Sequence, residues 1–154
     1  MKQEAKPFIK WVGGKTQLLD EIRKYYPAYI EKYCEPFVGG GAVLFDVLTK
    51  ISPKEVLIND INAELINTYR QIKENCSGMI NELAALQEKY WNSSLDDNKV
   101  LYFEKRERFN ALKLNGNEKE NLEKAALFIF LNKTCFNGLF RVNSKGLFNV
   151  PFNN

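Results

Sequence analysis

The chain has 154 residues, 45% of them hydrophobic and 27% charged, a globular composition of one-domain size. It contains no histidine, which excludes Ser-His-Asp and Cys-His mechanisms and removes the commonest metal ligand. The formal net charge of +3 is local: Lys133, Arg141 and Lys145 are the only charged residues between 133 and 154, so the rest of the chain sums to zero.

No apolar run approaches the roughly 18 residues that a membrane-spanning helix needs. The N-terminal stretch Met1-Lys2-Gln3-Glu4-Ala5-Lys6-Pro7 has no apolar segment behind its basic start, so no secretory leader is expected. Cys34, Cys76 and Cys135 are odd in number and widely spaced, without a CxxC pair. That pattern points to reduced thiols in a cytoplasmic protein, with no disulfide framework and no zinc site.

Up to about Asn62 the chain alternates short apolar runs with glycines, as strand-turn-helix units do. Phe8-Ile9-Lys10-Trp11-Val12 reads as extended and ends at Gly13-Gly14. Residues 16–26 carry Leu18, Leu19, Ile22, Tyr25 and Tyr26 at helical spacing and are stopped by Pro27. Residues 33–38 form a strand candidate that runs into three glycines, 42–49 a short apolar helix, and 55–60 a second strand. From Asn62 to Cys135 the pattern is helical, with breaks at Cys76-Ser77-Gly78 and Asn115-Gly116-Asn117. Apolar stripes such as Leu65, Ile66, Tyr69 and Ile72 read as packing. Leu139-Phe140-Arg141-Val142 and Leu147-Phe148-Asn149-Val150 flank Asn143-Ser144-Lys145-Gly146, which predicts a β-hairpin over 139–150.

Two motifs bear on chemistry. Phe37-Val38-Gly39-Gly40-Gly41 follows a strand and opens a helix, where glycine permits positive φ and close backbone approach to a ligand. Gly39 and Gly41 fit G-x-G-x-x-G, but Leu44 stands at the third position, which argues against a pyrophosphate on the helix start. Asp60 lies 19 residues beyond Gly41 at the end of the next strand, where an acid can accept hydrogen bonds from ribose hydroxyls. Together these favour a nucleoside ligand without phosphates, of which S-adenosylmethionine is the common case. Gly13-Gly14-Lys15-Thr16 imitates a phosphate loop, but Ile9 occupies the position of the required first glycine. Lys15 is better placed to pair with an anionic group such as an amino-acid carboxylate. From spacing alone, Trp11 either stacks on a base or sits in the core.

Four segments carry a resemblance: Phe8-Ile9-Lys10-Trp11-Val12-Gly13-Gly14-Lys15, Glu35-Pro36-Phe37-Val38-Gly39-Gly40-Gly41, Asn59-Asp60-Ile61-Asn62, and Phe136-Asn137-Gly138-Leu139-Phe140-Arg141-Val142-Asn143. In this order, and with Gly146-Leu147-Phe148-Asn149-Val150-Pro151-Phe152 after them, they resemble the DNA adenine methylase family of N6-adenine DNA methyltransferases.

The resemblance implies an α/β fold: part of a methyltransferase-type Rossmann sheet over 1–62, and a helical target-recognition region with the hairpin over 63–154. It implies S-adenosylmethionine as cofactor, held by Trp11, Lys15, Phe37, Gly39, Gly41 and Asp60. It also implies double-stranded DNA as partner, met by Lys10, Phe136, Asn137, Leu139, Arg141 and Pro151. There an aromatic and an apolar side chain press into the base stack while an arginine reads a guanine edge. On the residues alone, Phe136 and Leu139 could equally be core, and Arg141 an ordinary surface charge. The family's catalytic Asp-Pro-Pro-Tyr motif has no counterpart here, because no two of the five prolines are adjacent. Val150 breaks the partial likeness of Asn149-Val150-Pro151-Phe152. The expectation is therefore a portion of an adenine methyltransferase, inactive alone, with the remaining half as a possible partner chain. A non-catalytic DNA-binding module and a small-molecule methyltransferase are the rival readings.

Overall fold

A computed structural model describes residues 5–153; residues 1–4 of the N-terminal stretch and Asn154 at the end of the 63–154 region lie outside it. The backbone divides after Asn62 into two compact units. The architecture is mixed and mostly helical, with one two-stranded parallel sheet among the described residues. No helix among them is long and apolar enough to cross a membrane.

In the first unit the extended run expected at 8–12 is not a strand. Gly13, at φ +73°, turns the chain back, and the Gly14 N–H bonds the Trp11 carbonyl at 3.1 Å. The helix expected at 16–26 is three short pieces: a 3-10 turn at Thr16–Leu18, α1 at Leu19–Ile22, and another 3-10 turn at Arg23–Tyr25. No side chain caps any of them; the two 3-10 turns close with i→i+3 bonds, and α1 with the Arg23 N–H on the Leu19 carbonyl.

Strands β1 (Lys32–Glu35) and β2 (Glu55–Ile58) pair in parallel around helix α2 (Ala42–Lys50), forming a βαβ unit. Both strands are shorter than the sequence pattern suggested, for identifiable reasons. Pro36 has no N–H to continue the ladder. Beyond β2, the Asp60 carboxylate accepts the Asn62 N–H at 3.0 Å and turns the chain. The register aligns Glu35 with Ile58, so the segments leaving the carboxyl ends of the two strands run side by side. Arg23 fastens α2 to the preceding segment: its guanidinium meets the buried Asp46 carboxylate at 2.6 and 3.1 Å.

The second unit is built on four helices: α3 (Ala63–Glu74), α4 (Cys76–Trp91), α5 (Leu95–Asn115) and α6 (Asn121–Thr134). Residues 125–132 of α6 are all buried, and α3, α4 and α5 pack against it. A helix apolar around its circumference belongs at the centre of a bundle. The break expected at 76–78 falls one residue earlier, because the Asn75 side chain caps α4 by accepting the Gly78 N–H at 3.2 Å. A break at 92–94 was not legible from periodicity. It is made by Ser94, which caps α5 by accepting the Asp97 N–H at 3.2 Å and donates its hydroxyl to the Asp97 carboxylate at 2.6 Å. Gly116, at φ +61°, ends α5 in the left-handed conformation that terminates helices.

The hairpin forms with less pairing than 139–150 suggested. Its arms share one bridge, Val142 with Phe148. On either side of it Asn143 N–H bonds the Leu147 carbonyl at 2.9 Å and Asn149 N–H the Arg141 carbonyl at 3.1 Å. Leu139 and Phe140 lie outside this ladder. The preceding turn is held elsewhere: the buried Asn132 side chain donates to the Gly138 carbonyl at 2.8 Å.

Candidate functional site

The six residues read from the sequence as cofactor candidates line one cleft of about 170 Å³ in the first unit. Trp11 and Lys15 come from the N-terminal segment, Phe37, Gly39 and Gly41 from the loop after β1, and Asp60 from the turn after β2. Parallel pairing explains why residues so far apart in sequence meet, since Val38 N–H bonds the Asn59 carbonyl at 2.9 Å just past the ladder. One step further, Asp60 accepts the Gly39 N–H at 3.0 Å. The acid therefore anchors the glycine loop in its shape, with Gly39 at φ +50° and Gly41 at φ +78°.

Trp11 is wedged against that loop. A Cβ on Gly39 would stand 2.8 Å from Trp11 Cδ1, and one on Gly40 would stand 3.2 Å from Trp11 Cβ. Trp11 therefore packs on the glycine loop while staying partly exposed at the cleft. Phe37 is 80% exposed and offers an apolar rim. Lys15 is exposed and lines the same cleft.

Glu35 also lines the cleft and was not singled out in the sequence. It is half-buried, and burial lifts its carboxyl above the usual range against the opposing pull of the Tyr33 hydroxyl and of Lys15. The Tyr33 hydroxyl donates to it at 2.7 Å, and burial raises the tyrosine strongly as well. A strand ending in Glu-Pro ahead of a glycine loop is the signal that could have found it. A cation, two carboxylates and exposed loop backbone suit a small ligand that carries hydroxyls together with an amino-acid group. Among the described residues no group of three acidic, cysteine or histidine side chains could hold a metal ion.

In the second unit, five of the DNA candidates sit on the turn after α6, the hairpin and the tail. Phe136 is 48% exposed, and its N–H bonds the carbonyl of the exposed Pro151 at 2.9 Å. Asn137 takes a left-handed backbone, φ 55° and ψ 13°, on an exposed turn. Leu139 is half-buried beside the rings of Phe109, Phe128, Phe140 and Phe148. Arg141 is exposed, with Nε 2.8 Å from Asn149 Oδ1 and Nη2 3.1 Å from the Asn149 carbonyl. Two of its five N–H donors are so engaged, which keeps the outer edge of the fork available for bidentate contact. Lys133 and Lys145 are exposed. Lys10, the sixth candidate, is an exposed residue of the first unit and does not line the cleft.

A family model described as D12 class N6 adenine-specific DNA methyltransferase matches residues 11–154. The chain belongs to that family. Among its relatives, the type II methyltransferase M.MjaIII of Methanocaldococcus jannaschii is 46% identical over 154 residues, covering 97% of this chain and 52% of the relative. The type II methyltransferase M1.LlaDCHI of Lactococcus lactis subsp. cremoris is 38% identical, with 98% and 49% covered. The DNA adenine methylase of Haemophilus influenzae is 38% identical, with 98% and 48% covered. The chain spans about half the length of these curated relatives.

Within this D12 class chain, the support beneath the hairpin was invisible in the sequence. Helix α5 sends four polar side chains to the hairpin loop and its second arm. Lys113 Nζ donates to the Gly146 carbonyl at 2.9 Å, and the Asn110 amide bonds both the N–H and the carbonyl of Phe148 at 2.8 and 3.0 Å. The Tyr102 hydroxyl donates to the Val150 carbonyl at 2.8 Å, joined by Arg106 at 3.4 Å. Positions 102, 106, 110 and 113 fall on one helical stripe.

Proposed function

We propose that this chain forms the cofactor-binding and target-recognition part of an adenine-specific DNA methyltransferase. Its parent reaction transfers a methyl group from S-adenosylmethionine to adenine N6 in duplex DNA. Family membership across residues 11–154 supports the reaction class. The single observation that carries the assignment of the first unit is the Asp60–Gly39 hydrogen bond, which joins the glycine loop to an acid at the carboxyl ends of two parallel strands. That is where open α/β sheets bind nucleosides, and the β1-α2-β2 unit is read as the start of a methyltransferase-type Rossmann sheet.

The residues suit S-adenosylmethionine. Each Asp60 oxygen accepts one backbone N–H and retains a second lone pair for a ribose hydroxyl. Lys15 would meet the methionine carboxylate, and Phe37 and Trp11 would bound the nucleoside. When bound, the cofactor supplies an electrophilic methyl group. The protein's task here is to fix its two ends and hold it against the loop backbone. In the second unit, Phe136 and Leu139 would press on the base stack, Arg141 would read guanine, and Asn137, Pro151 and Lys10 would complete the contact.

The chain contains no Asp-Pro-Pro-Tyr segment, the motif that would hold a flipped adenine, so methyl transfer should require a polypeptide that provides one. Incubation with labelled S-adenosylmethionine and adenine-unmethylated duplex tests this. The expected result is background incorporation for the chain alone and incorporation at adenine N6 when the complementing polypeptide is added. Transfer by the chain alone overturns the inactivity, and no cofactor binding in either condition overturns the reading.

A further inference from the structure

We propose that Asn110 on α5 is a positioning residue for Arg141, setting where the guanidinium stands by acting as a substitute strand for the opposite arm of the hairpin. The bonds from Asn143 to Leu147 and from Asn149 to Arg141 make Val142 and Phe148 a non-hydrogen-bonded pair. The backbone N–H and carbonyl of Phe148 therefore face away from the first arm. An edge strand normally leaves such groups to water or to another strand. Here the Asn110 amide meets both, accepting from the N–H at 2.8 Å and donating to the carbonyl at 3.0 Å.

The neighbouring contacts of α5 are one-sided. Lys113, Tyr102 and Arg106 each donate to a carbonyl, at Gly146 or Val150. Asn110 alone among these four reproduces the paired donor and acceptor of a β-ladder, so it defines the register of the arm as well as its attachment. The next residue along the arm is Asn149, whose side-chain oxygen and carbonyl hold Arg141 at 2.8 and 3.1 Å. An exposed arginine otherwise samples many rotamers. The link from Asn110 through Phe148 and Asn149 to Arg141 reduces that freedom before any partner arrives, which is how a specificity-determining side chain is preorganised.

The arginine Nε–H resonances of the ¹⁵N-labelled full chain test the link without DNA. Arg141→Ala assigns the Arg141 signal. Asn110→Ala and Asn110→Asp should move it to the position of a solvated arginine, as Asn149→Ala should. Lys113→Ala, which releases the Gly146 carbonyl and the Phe109 and Phe140 rings but neither backbone group of Phe148, should leave it in place. Asn110→Asp keeps the size and the acceptor for Phe148 N–H but faces the Phe148 carbonyl with a second acceptor, so it perturbs the link in a chain that retains its core. An unmoved Arg141 signal in a folded Asn110 variant overturns the proposal. Should both variants unfold, the wild type decides: with added urea, Phe148 N–H and Arg141 Nε–H must exchange through the same opening, and independent openings overturn it.

The consequence for DNA rests on the function proposed above. Discrimination between a cognate and a scrambled duplex should fall on the order of tenfold in Asn110→Asp, toward the Arg141→Ala value. The double variant should be no worse than Arg141→Ala alone, as expected for residues acting through one contact. If Arg141→Ala itself leaves discrimination unchanged, the base-reading role fails while the resonance measurement still judges the positioning role.

Discussion

Asp60 and Gly39 are 21 residues apart, yet one Asp60 oxygen accepts the Gly39 N–H at 3.0 Å while the other accepts the Asn62 N–H. The carboxylate thus joins the loop after β1 to the turn after β2. Asp60→Ala removes both anchors together with the proposed ribose contact. Charged hydrogen bonds of this kind contribute about 1.5–3 kcal/mol each, so S-adenosylmethionine affinity should fall at least tenfold by calorimetry. Asp60→Asn should lose less, because its carbonyl oxygen can keep one backbone N–H. Equal affinities for wild type and Asp60→Ala would remove Asp60 from the cofactor site.

Gly39 carries two separable constraints. Its φ of +50° is left-handed, and its missing Cβ leaves room for the Trp11 ring. Gly39→Ala should therefore displace Trp11, shift tryptophan fluorescence and weaken the cleft. In a Trp11→Ala background the steric part disappears and only the backbone strain of roughly 1–2 kcal/mol remains. The Gly39→Ala penalty should accordingly be smaller there, as measured by urea unfolding. An identical penalty in both backgrounds would show that the ring is not what the loop accommodates.

The local devices were readable because one or two residues dictate them. Glycines at 39 and 41 forecast a loop that needs positive φ, and Gly116 marks the end of α5 for the same reason. Asp60 was conspicuous because an acid closes a short apolar strand. What escaped notice depends on partners distant in sequence. Nothing around Trp11 shows that its ring fills the space above Gly39, and Glu35 gains its character only from burial between Tyr33, Lys15 and the loop. The missed break at 92–94 is a capping effect that apolar periodicity does not register. The run at 8–12 looked extended because its residues favour strands, but Gly13 turns the chain before a ladder forms. Asn110 is the clearest case, since a polar residue on a helix reads as solvated until a strand is found beside it.

Stability of the first unit should depend on acid pH through Asp46. The Arg23 guanidinium holds this carboxyl below its usual range, so the folded pKa lies beneath the unfolded value of about 3.9. The contribution is then present above pH 4 and is lost as pH falls through the folded pKa. Glu123, lowered by Arg108 at 2.6 and 2.8 Å, adds loss of the same sign in the second unit. Melting temperature between pH 6 and pH 3 should decline, and less steeply in Asp46→Asn, which starts lower. The Arg23 side chain is 36% exposed, so solvent screens the pair and the effect should be modest. A variant that declines as steeply as wild type would assign the acid sensitivity elsewhere.

The exposed candidates of the second unit separate by burial before any DNA is added. Phe136 is about half exposed, whereas Leu139 is half-buried beside the aromatic cluster. Phe136→Ala should leave the thermal transition nearly unchanged, and Leu139→Ala should cost about 1–2 kcal/mol, part of the price of a fully buried leucine. If both press into a base stack, both should reduce DNA distortion, reported by 2-aminopurine fluorescence in the duplex, without changing salt dependence. Loss of fold in Phe136→Ala would place that ring in the core.

Charge at the hairpin and at the end of α6 gives the last expectation, because phosphate contacts and base contacts respond differently to salt. Each neutralised phosphate releases counterions and adds about −0.9 to the slope of log affinity against log salt. Lys133, near the end of α6, and Lys145, in the hairpin loop, are exposed, so replacing either with alanine should weaken all duplexes alike and flatten the slope by nearly one contact. Arg141 differs in being held by Asn149 with its outer edge available. A bidentate arginine on guanine contributes on the order of 1–3 kcal/mol of discrimination. Arg141→Ala should therefore erase preference for the cognate duplex more than it lowers total affinity, while Arg141→Lys keeps the charge and the salt slope but not the preference. Titrations at two salt concentrations on cognate and scrambled duplexes distinguish these outcomes. Equal loss on both duplexes for Arg141→Ala, with full recovery in Arg141→Lys, would reduce Arg141 to a phosphate contact and move sequence reading to another part of the protein.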